Sequence, residues 1–374
     1  MNFTEHTGKR LLAEAGIAVP EGALATTPAG AGAIAARLGP VVVKAQVPAG
    51  KRGKAGGIKP ADDASAAEAA AAEIIGMTIG GHRVAAVLVE ARVAIARELY
   101  AAVLNDPASR GPLVMVSTAG GIDIEDVAAR DPAAIRSHAV DVTRGFDAVD
   151  AAALIDGLGL DAAAGAVADV LVRLYGLYDR RDAELVEINP LAITDDGAVI
   201  ALDCKFVLDD SAVPRQADLA AEGVAEPETE LEARGAAHGL RYIALGGDVG
   251  VLANGAGLTM TTIDAVAFHG GRPANFLEIG GDAYTKARPA LELVLANPSV
   301  NSLVVNFCGA FARCDVMTAG VVEAWQALEP TIPVFFSIHG TGENEAVAMV
   351  RDRLGLEPFD VMDDAVVAAI AAAS

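Results

Sequence analysis

At 374 residues the chain exceeds one ordinary core, and two or three domains are expected. A hydrophobic fraction of 53% against 21% charged residues allows a sizeable core without disulfides, as in a globular protein. The formal charge of −22 repels phosphate backbones and anionic bilayers, so no nucleic acid and no membrane is expected as a partner, and a polyanionic substrate has to be gathered by local clusters of Lys, Arg and Gly.

The start, Met1 to His6, has neither a basic nor an apolar targeting region, and no run of about 20 apolar residues escapes a charge or a glycine, so a cytoplasmic location is expected. Cys204, Cys308 and Cys314 are odd in number and lack metal spacing; each is expected to be a buried thiol in a reducing compartment. In chain order, Thr7 to Ala15 and Ala31 to Leu38 read as helices stopped by Gly16 and Gly39. Val41 to Val47 reads as a strand entering a glycine-rich loop, Pro48 to Gly57. A helix over Ala64 to Met77 follows, then strands near Ala85 to Val93, Glu98 to Asn105 and Leu113 to Thr118.

After a helix near Ala162 to Tyr178, the runs Glu184 to Thr194 and Ala198 to Leu208 flank Asp195-Asp196-Gly197, a β-hairpin signal. The polar stretch Gln216 to Glu232 has no convincing period and reads as a link between lobes. Beyond it strands at Tyr242 to Leu245, Val249 to Ala253, Asn275 to Ile279, Ser302 to Phe307 and Pro333 to Ile338 alternate with helices near 258–268, 283–296, 316–328 and 343–354. That alternation predicts a doubly wound parallel sheet with ligand loops at the strand ends.

Two places carry chemistry. From Lys44 to Gly57 four cations, Lys44, Lys51, Arg52 and Lys54, mingle with Gly50, Gly53, Gly56 and Gly57, a composition able to converge on phosphate oxygens, although the spacing is not that of G-x-x-x-x-G-K-[ST]. A solvated basic turn is the alternative. In the hairpin, a turn centred on Asp196 sets Asn189 opposite Asp203 and Glu187 opposite Lys205, all on one face by the two-residue period. An amide oxygen beside a carboxylate suits Mg²⁺ completed by nucleotide phosphates. A structural polar pair is the alternative, and Pro190 allows a bulge that shifts the register.

Glu187-Ile188-Asn189-Pro190-Leu191, the loop Gln46 to Gly57, Glu98-Leu99-Tyr100, Ala253 to Leu258, Gly270 to Leu277 and Arg313-Cys314-Asp315 together resemble the succinyl-CoA synthetase β-subunit family across nearly the whole chain. The resemblance implies an α/β protein with an N-terminal ATP-grasp domain over 1–215, a linker over 216–237, and a flavodoxin-like doubly wound domain over 238–374. It implies that Lys44, Lys51, Arg52 and Gly53 meet the nucleotide phosphates, Glu90, Val93 and Glu98 the base or ribose region, and Asn189 with Asp203 the Mg²⁺. Glu187 matches the family glutamate that orients a partner's phosphohistidine. Pro20 resembles the ATP-preferring forms. Asn254, Ala310, Phe311 and Ala312 match substrate-binding positions, in glycine-rich loops that face the acid or the phosphohistidine.

What the resemblance implies as activity is ATP + acid + CoA ⇌ ADP + phosphate + acyl-CoA. It needs a separate α subunit, in an αβ or α₂β₂ assembly, that carries the CoA site and the phosphorylated histidine. Succinate is the family's acid; malate or another small carboxylate is the alternative. The chain departs from the family pattern at Lys51, where glycine is usual, and at Val93. It also departs at Cys308 to Ala312, in place of Phe-Gly-Gly-Ile, and at Ser337 to Gly342, where an arginine is usual at the first position. Of the six histidines, His269 reads as a helix C-terminal cap and His339 as the one nearest a ligand. A carboxylate–amine ligase and a non-catalytic nucleotide-binding subunit remain as other readings.

Overall fold

The computed structural model describes residues 1–225, 229–279 and 283–373, and the chain divides into two units, 1–226 and 227–374. In the first, α1 (Glu5–Glu14) buries Gly8, Leu11 and Leu12, three and four residues apart on one face, together with the unusual burial of Glu5 and Lys9. There follow β1 (Gly22–Ala25), α2 (Pro28–Leu38), β2 (Val41–Ala45), β3 (Ile58–Ala61), α3 (Ala64–Ile74), the short ribbon β4 (Thr78–Ile79) and β5 (His82–Arg83), and β6 (Val87–Ala91). Thr27 and Asp63 cap α2 and α3 by accepting N–H bonds from Gly30 and Ala66. An antiparallel sheet of order β1-β6-β2-β3 receives the alanine-rich faces of α2 and α3 on Val41, Val43, Val87 and Val89.

A larger antiparallel sheet is built from β7 (Arg97–Asp106), β8 (Gly111–Ser117), β9 (Ile135–Ala139), β10 (Ala183–Ile193) and β11 (Val199–Ala201), in the order β11-β10-β7-β8-β9, with β12 (Lys205–Leu208) also on β10. Between these strands lie α4 (Ile124–Arg130), α5 (Ala148–Ile155) and α6 (Ala164–Arg180). The last buries Val167, Val170, Leu171, Leu174 and Leu177, the three- and four-residue steps of an amphipathic helix, in the core of this sheet. Leu174 is fully buried, so Leu174→Ala is expected to destabilise this unit by about 2–5 kcal/mol. Thermal unfolding of the variant against wild type measures it; an unchanged transition would contradict the packing.

α7 (Ala217–Ala220) closes the first unit and α8 (Glu230–Ala237) opens the second. The expected linker 216–237 is therefore partly helical: a capping box between Thr229 and Glu232 starts α8 despite its polar sequence. Residues 226–228 of that stretch lie outside the described residues.

The second unit alternates β13 (Tyr242–Ala244), β14 (Val249–Ala253), α9 (Ala256–Phe268), β15 (Asn275–Leu277), α10 (Ala283–Leu295), β16 (Ser302–Gly309), α11 (Cys314–Leu328), β17 (Val334–Gly340), α12 (Glu343–Leu354) and α13 (Met362–Ala373). β14, β16 and β17 pair in parallel, β15 joins β14 through parallel bridges, and β13 is an antiparallel edge on β15. The order β15-β14-β16-β17 is the 2-1-3-4 arrangement of flavodoxin-like sheets. Val266 of α9 and Val366 of α13 cover one face, and α10, α11 and α12 the other. Cys204 and Cys314 are buried, whereas Cys308 is exposed at the carboxyl end of β16, where the strand leaves the core; this corrects the expectation of three buried thiols. Among the described residues no helix is long and apolar enough to cross a membrane.

Candidate functional site

The hairpin register follows from the Asp-Gly turn. Leu191 pairs with Ala201 and Ile193 with Val199 beside the turn, and Glu187 pairs with Lys205 further out, so the same register holds on both sides of Pro190. The irregularity that proline introduces falls on the other edge, where the β10–β7 pairing shifts between Ile188 and Leu191. β11 and β12 are separate strands, and Asp203 stands in the break between them.

On the other wall β2 delivers Lys44 and leads into the basic loop. Gly57 returns that loop to the sheet: its carbonyl takes the Ala45 N–H, and a Cβ there would lie 2.7 Å from Ile79. Lys51 adopts φ +59°, the left-handed region that favours glycine, at a cost of about 1 kcal/mol. Lys54 reaches Asp123 at 2.5 Å, tying the loop to the segment after β8.

These elements enclose a cavity of about 410 Å³ within the first unit, lined by Lys44, Lys51, Arg52, Gly53, Glu187, Asn189 and Asp203 among others. Its volume lies within the range of ordinary ligand sites. Glu90, Val93 and Glu98 are not among the lining residues. Glu90 is 3% exposed and ion-paired to Lys9 and Lys44, which is a different environment from the expected base or ribose region. Val93 is half-buried. Glu98, also half-buried, lies against Gly121, which does line the cavity.

The polar side of the cavity is a network only part of which is local in the sequence. The first helix starts at Glu5 rather than at the expected Thr7, which sets Glu5 and Lys9 four residues apart on α1, a pair that no local signal separates from a solvent-facing one. In the structure Glu5 is buried and accepts from Lys9 at 2.8 Å, Lys44 at 2.8 Å and Arg52 at 2.6 Å. Burial alone would push its carboxyl up, but Lys44, Lys9 and Arg52 together hold it well below the usual range. For Lys44 burial works downward, and Glu5, Glu90 and Asp203 outweigh it, so the amine stays charged. Arg52 donates to both oxygens of Asp203 at 2.7 and 2.8 Å. Burial and then Glu5 push Asp203 up, against Arg52 and Lys44.

Asn189 accepts the Gly121 N–H at 2.8 Å and donates to the Ile122 carbonyl at 2.9 Å, so its side chain is held against the segment after β8 and does not bond Asp203. Both residues are oxygen donors on the wall of one cavity, the donor type a hard cation takes, and they fit Mg²⁺ in kind. Each has to share or exchange a protein partner for it. Among the described residues no group of three or more His, Cys, Asp and Glu side chains is placed to hold a metal, so most ligands would come from nucleotide and water. Glu187 accepts from the Tyr100 hydroxyl at 3.2 Å, and burial pushes its carboxyl up, opposed by Lys205. Lys205 also lines the cavity, a placement implied by the hairpin face.

In the second unit, Asn254 at the end of β14 bonds the Cys308 backbone both ways, donating at 3.0 Å and accepting at 2.8 Å. This locks the two strand ends where the sheet order reverses, the place where such sheets bind ligands. Ala310 accepts from Thr341, Ala312 packs at the edge of the core, and Phe311 is fully exposed. His339 lies 3.3 Å from the Ser337 hydroxyl and 3.7 Å from Glu343, at the end of β17. His269 follows α9 and reaches Asp363 at 2.7 Å.

Two family models match the chain: one described as ATP-grasp domain over residues 2–193, and one described as CoA-ligase over residues 252–362. A succinate–CoA ligase [GDP-forming] subunit beta of Thermus thermophilus is 42% identical over 94% of each chain. An [ADP-forming] subunit beta of Halorhodospira halophila is 41% identical over 98% of this chain and 97% of that one. Among solved structures, an ATP citrate lyase from Methanothrix soehngenii superposes with a TM-score of 0.56 at 24% identity, covering 96% of this chain and 95% of that one. That last likeness concerns the fold.

Proposed function

Because the chain belongs to the family of succinate–CoA ligase β subunits, we propose that it binds Mg–ATP in the cavity of its first unit and passes the γ-phosphoryl group to a histidine of a separate α subunit, in support of ATP + succinate + CoA ⇌ ADP + phosphate + succinyl-CoA. The observation that carries the reading is the convergence of Lys44 and Arg52, the oxygen donors Asn189 and Asp203, and the carboxylate Glu187 on one cavity. Phosphoryl transfer asks a protein mainly for position and charge. As the bond from the γ-phosphorus to the ADP oxygen breaks and that to the histidine nitrogen forms, Lys44 and Arg52 face the negative charge on the phosphoryl oxygens, and Lys51 and Gly53 close the loop beside them. Asn189 and Asp203 would hold Mg²⁺, which neutralises phosphate charge when bound. Glu187 accepts the other imidazole N–H, so that the attacking nitrogen carries the lone pair.

Val93 and Glu98 are assigned to the base or ribose side, whereas Glu90 acts on the phosphate side, through its ion pair with Lys44. Adenine is the preferred base on the strength of Pro20; the relatives' names include both nucleotides. The acid is assigned to the strand ends around Asn254 and the Ala310-Phe311-Ala312 turn, and CoA and the acceptor histidine to the α subunit. The purified chain alone is expected to show no CoA-ligase turnover, with activity restored by its α subunit. With γ-labelled ATP the label is expected on an α-subunit histidine. Label appearing on the acid in the absence of the α subunit would replace this reading with that of a carboxylate–amine ligase type, and nucleotide binding without any transfer would make the chain a regulatory subunit.

A further inference from the structure

We propose that Glu5 is a positioning residue for phosphoryl transfer, one buried carboxylate that sets both Lys44 and Arg52 at once. This rests on the reading of those two cations as phosphate ligands. The side chain of Glu5 has no solvent exposure, yet each of its oxygens is engaged by a cation of the cavity: Oε1 by Lys44 at 2.8 Å, and Oε2 by Arg52 at 2.6 Å. Lys9 does not line the cavity and closes the arrangement from behind, bonding Oε1 at 2.8 Å and Glu90 at 2.6 Å. Three cations thus face three carboxylates, Glu5, Glu90 and Asp203, in a closed set that a chain of net charge −22 keeps neutral.

The connectivity gives the two ends of Arg52 different tasks. One terminal nitrogen is tied to Glu5 and to the Ala45 carbonyl, while the other donates to both oxygens of Asp203. A triphosphate entering the cavity therefore has to draw only the Asp203 end away, and Glu5 keeps the guanidinium in place while it exchanges one anion for another. The same exchange frees the Asp203 oxygens. Lys44 is held similarly, by Glu5, by Glu90 at 2.9 Å and by the Leu202 carbonyl at 2.6 Å, so its amine is fixed before any ligand arrives. A carboxylate in this place opposes nucleotide binding by its charge, and its benefit appears in the orientation of the cations at transfer.

That contrast supplies the test. Glu5→Gln leaves buried cations underpaired and can unfold the chain, so the deciding variant is Glu5→Asp, which keeps the charge and withdraws it by one methylene. With the α subunit present, Glu5→Asp is expected to slow phosphoryl transfer by about a hundredfold, the scale of a misplacement near 1 Å. The dissociation constant for Mg–ATP of the same protein, measured by calorimetry, is expected to change by less than about threefold, because removal of a transition-state interaction leaves ground-state binding intact. Transfer at the wild-type rate overturns the positioning role. So does a loss of rate and of affinity in step with a lowered melting temperature, which is what a purely structural residue gives. A wild-type chain that cannot phosphorylate the α subunit sinks the parent reading and this one with it, whereas a competent wild type matched by Glu5→Asp sinks this one alone.

Discussion

Asp203→Asn is expected to lower nucleotide-dependent phosphorylation of the α subunit by on the order of 10²–10³-fold or more, the scale seen when a preorganised charge partner of a transition state is removed. Asp203 is the anionic member of the proposed metal pair, and it also takes both bonds from one nitrogen of Arg52. Asparagine preserves the shape and one acceptor for Arg52 but removes the charge, so the substitution tests the cation site with the guanidinium still anchored through Glu5. The loss should be steepest at limiting Mg²⁺ and partly relieved by excess, since a weakened site fills by mass action. A variant that transfers phosphoryl at the wild-type rate at limiting Mg²⁺ would remove Asp203 from the metal site.

Much of this cavity could be read from residues close in sequence, and the part that could not is tertiary. The Asp195-Asp196-Gly197 turn and the period of two are local, and they place Glu187 opposite Lys205 as the ladder shows. Lys44 and the glycine-rich loop are likewise contiguous. Glu5 and Lys9 are not: their partners Lys44, Arg52 and Glu90 come from strands and a loop tens of residues away, and a helix bearing Glu and Lys four apart has the same pattern when solvated. The environment of Glu90 is hidden for the same reason, because the residues of β6 do not say what fills the space beyond them. α8 illustrates the reverse case. Its Thr229–Glu232 capping box is written in the sequence, but a polar composition without apolar period masks it. In the second unit the strand–loop–helix rhythm sufficed for the parallel strands β14 to β17, while the antiparallel pairing of β13 and the outward Cys308 depend on tertiary placement.

Glu187→Gln is expected to slow transfer to the α-subunit histidine by roughly 10²–10³-fold and to change the shape of the pH profile, the two effects sharing one cause. Burial pushes the Glu187 carboxyl above its ordinary value, opposed by Lys205 and the Tyr100 hydroxyl. If the ionised form receives the imidazole N–H, the wild-type rate must fall on the acid side as pH drops through this raised pKa, at a higher pH than an exposed glutamate would give. The glutamine variant should lack that limb. Stability moves the other way. A carboxyl whose pKa is higher folded than unfolded stabilises the fold below the unfolded pKa and loses that contribution as pH rises through the folded one. At neutral pH the charge is therefore a burden on the fold, and Glu187→Gln should melt no earlier than wild type while transferring far more slowly. A glutamine variant that keeps both the rate and the acid limb would show that another group receives the proton, and one that loses rate only because it melts would reduce Glu187 to a structural role.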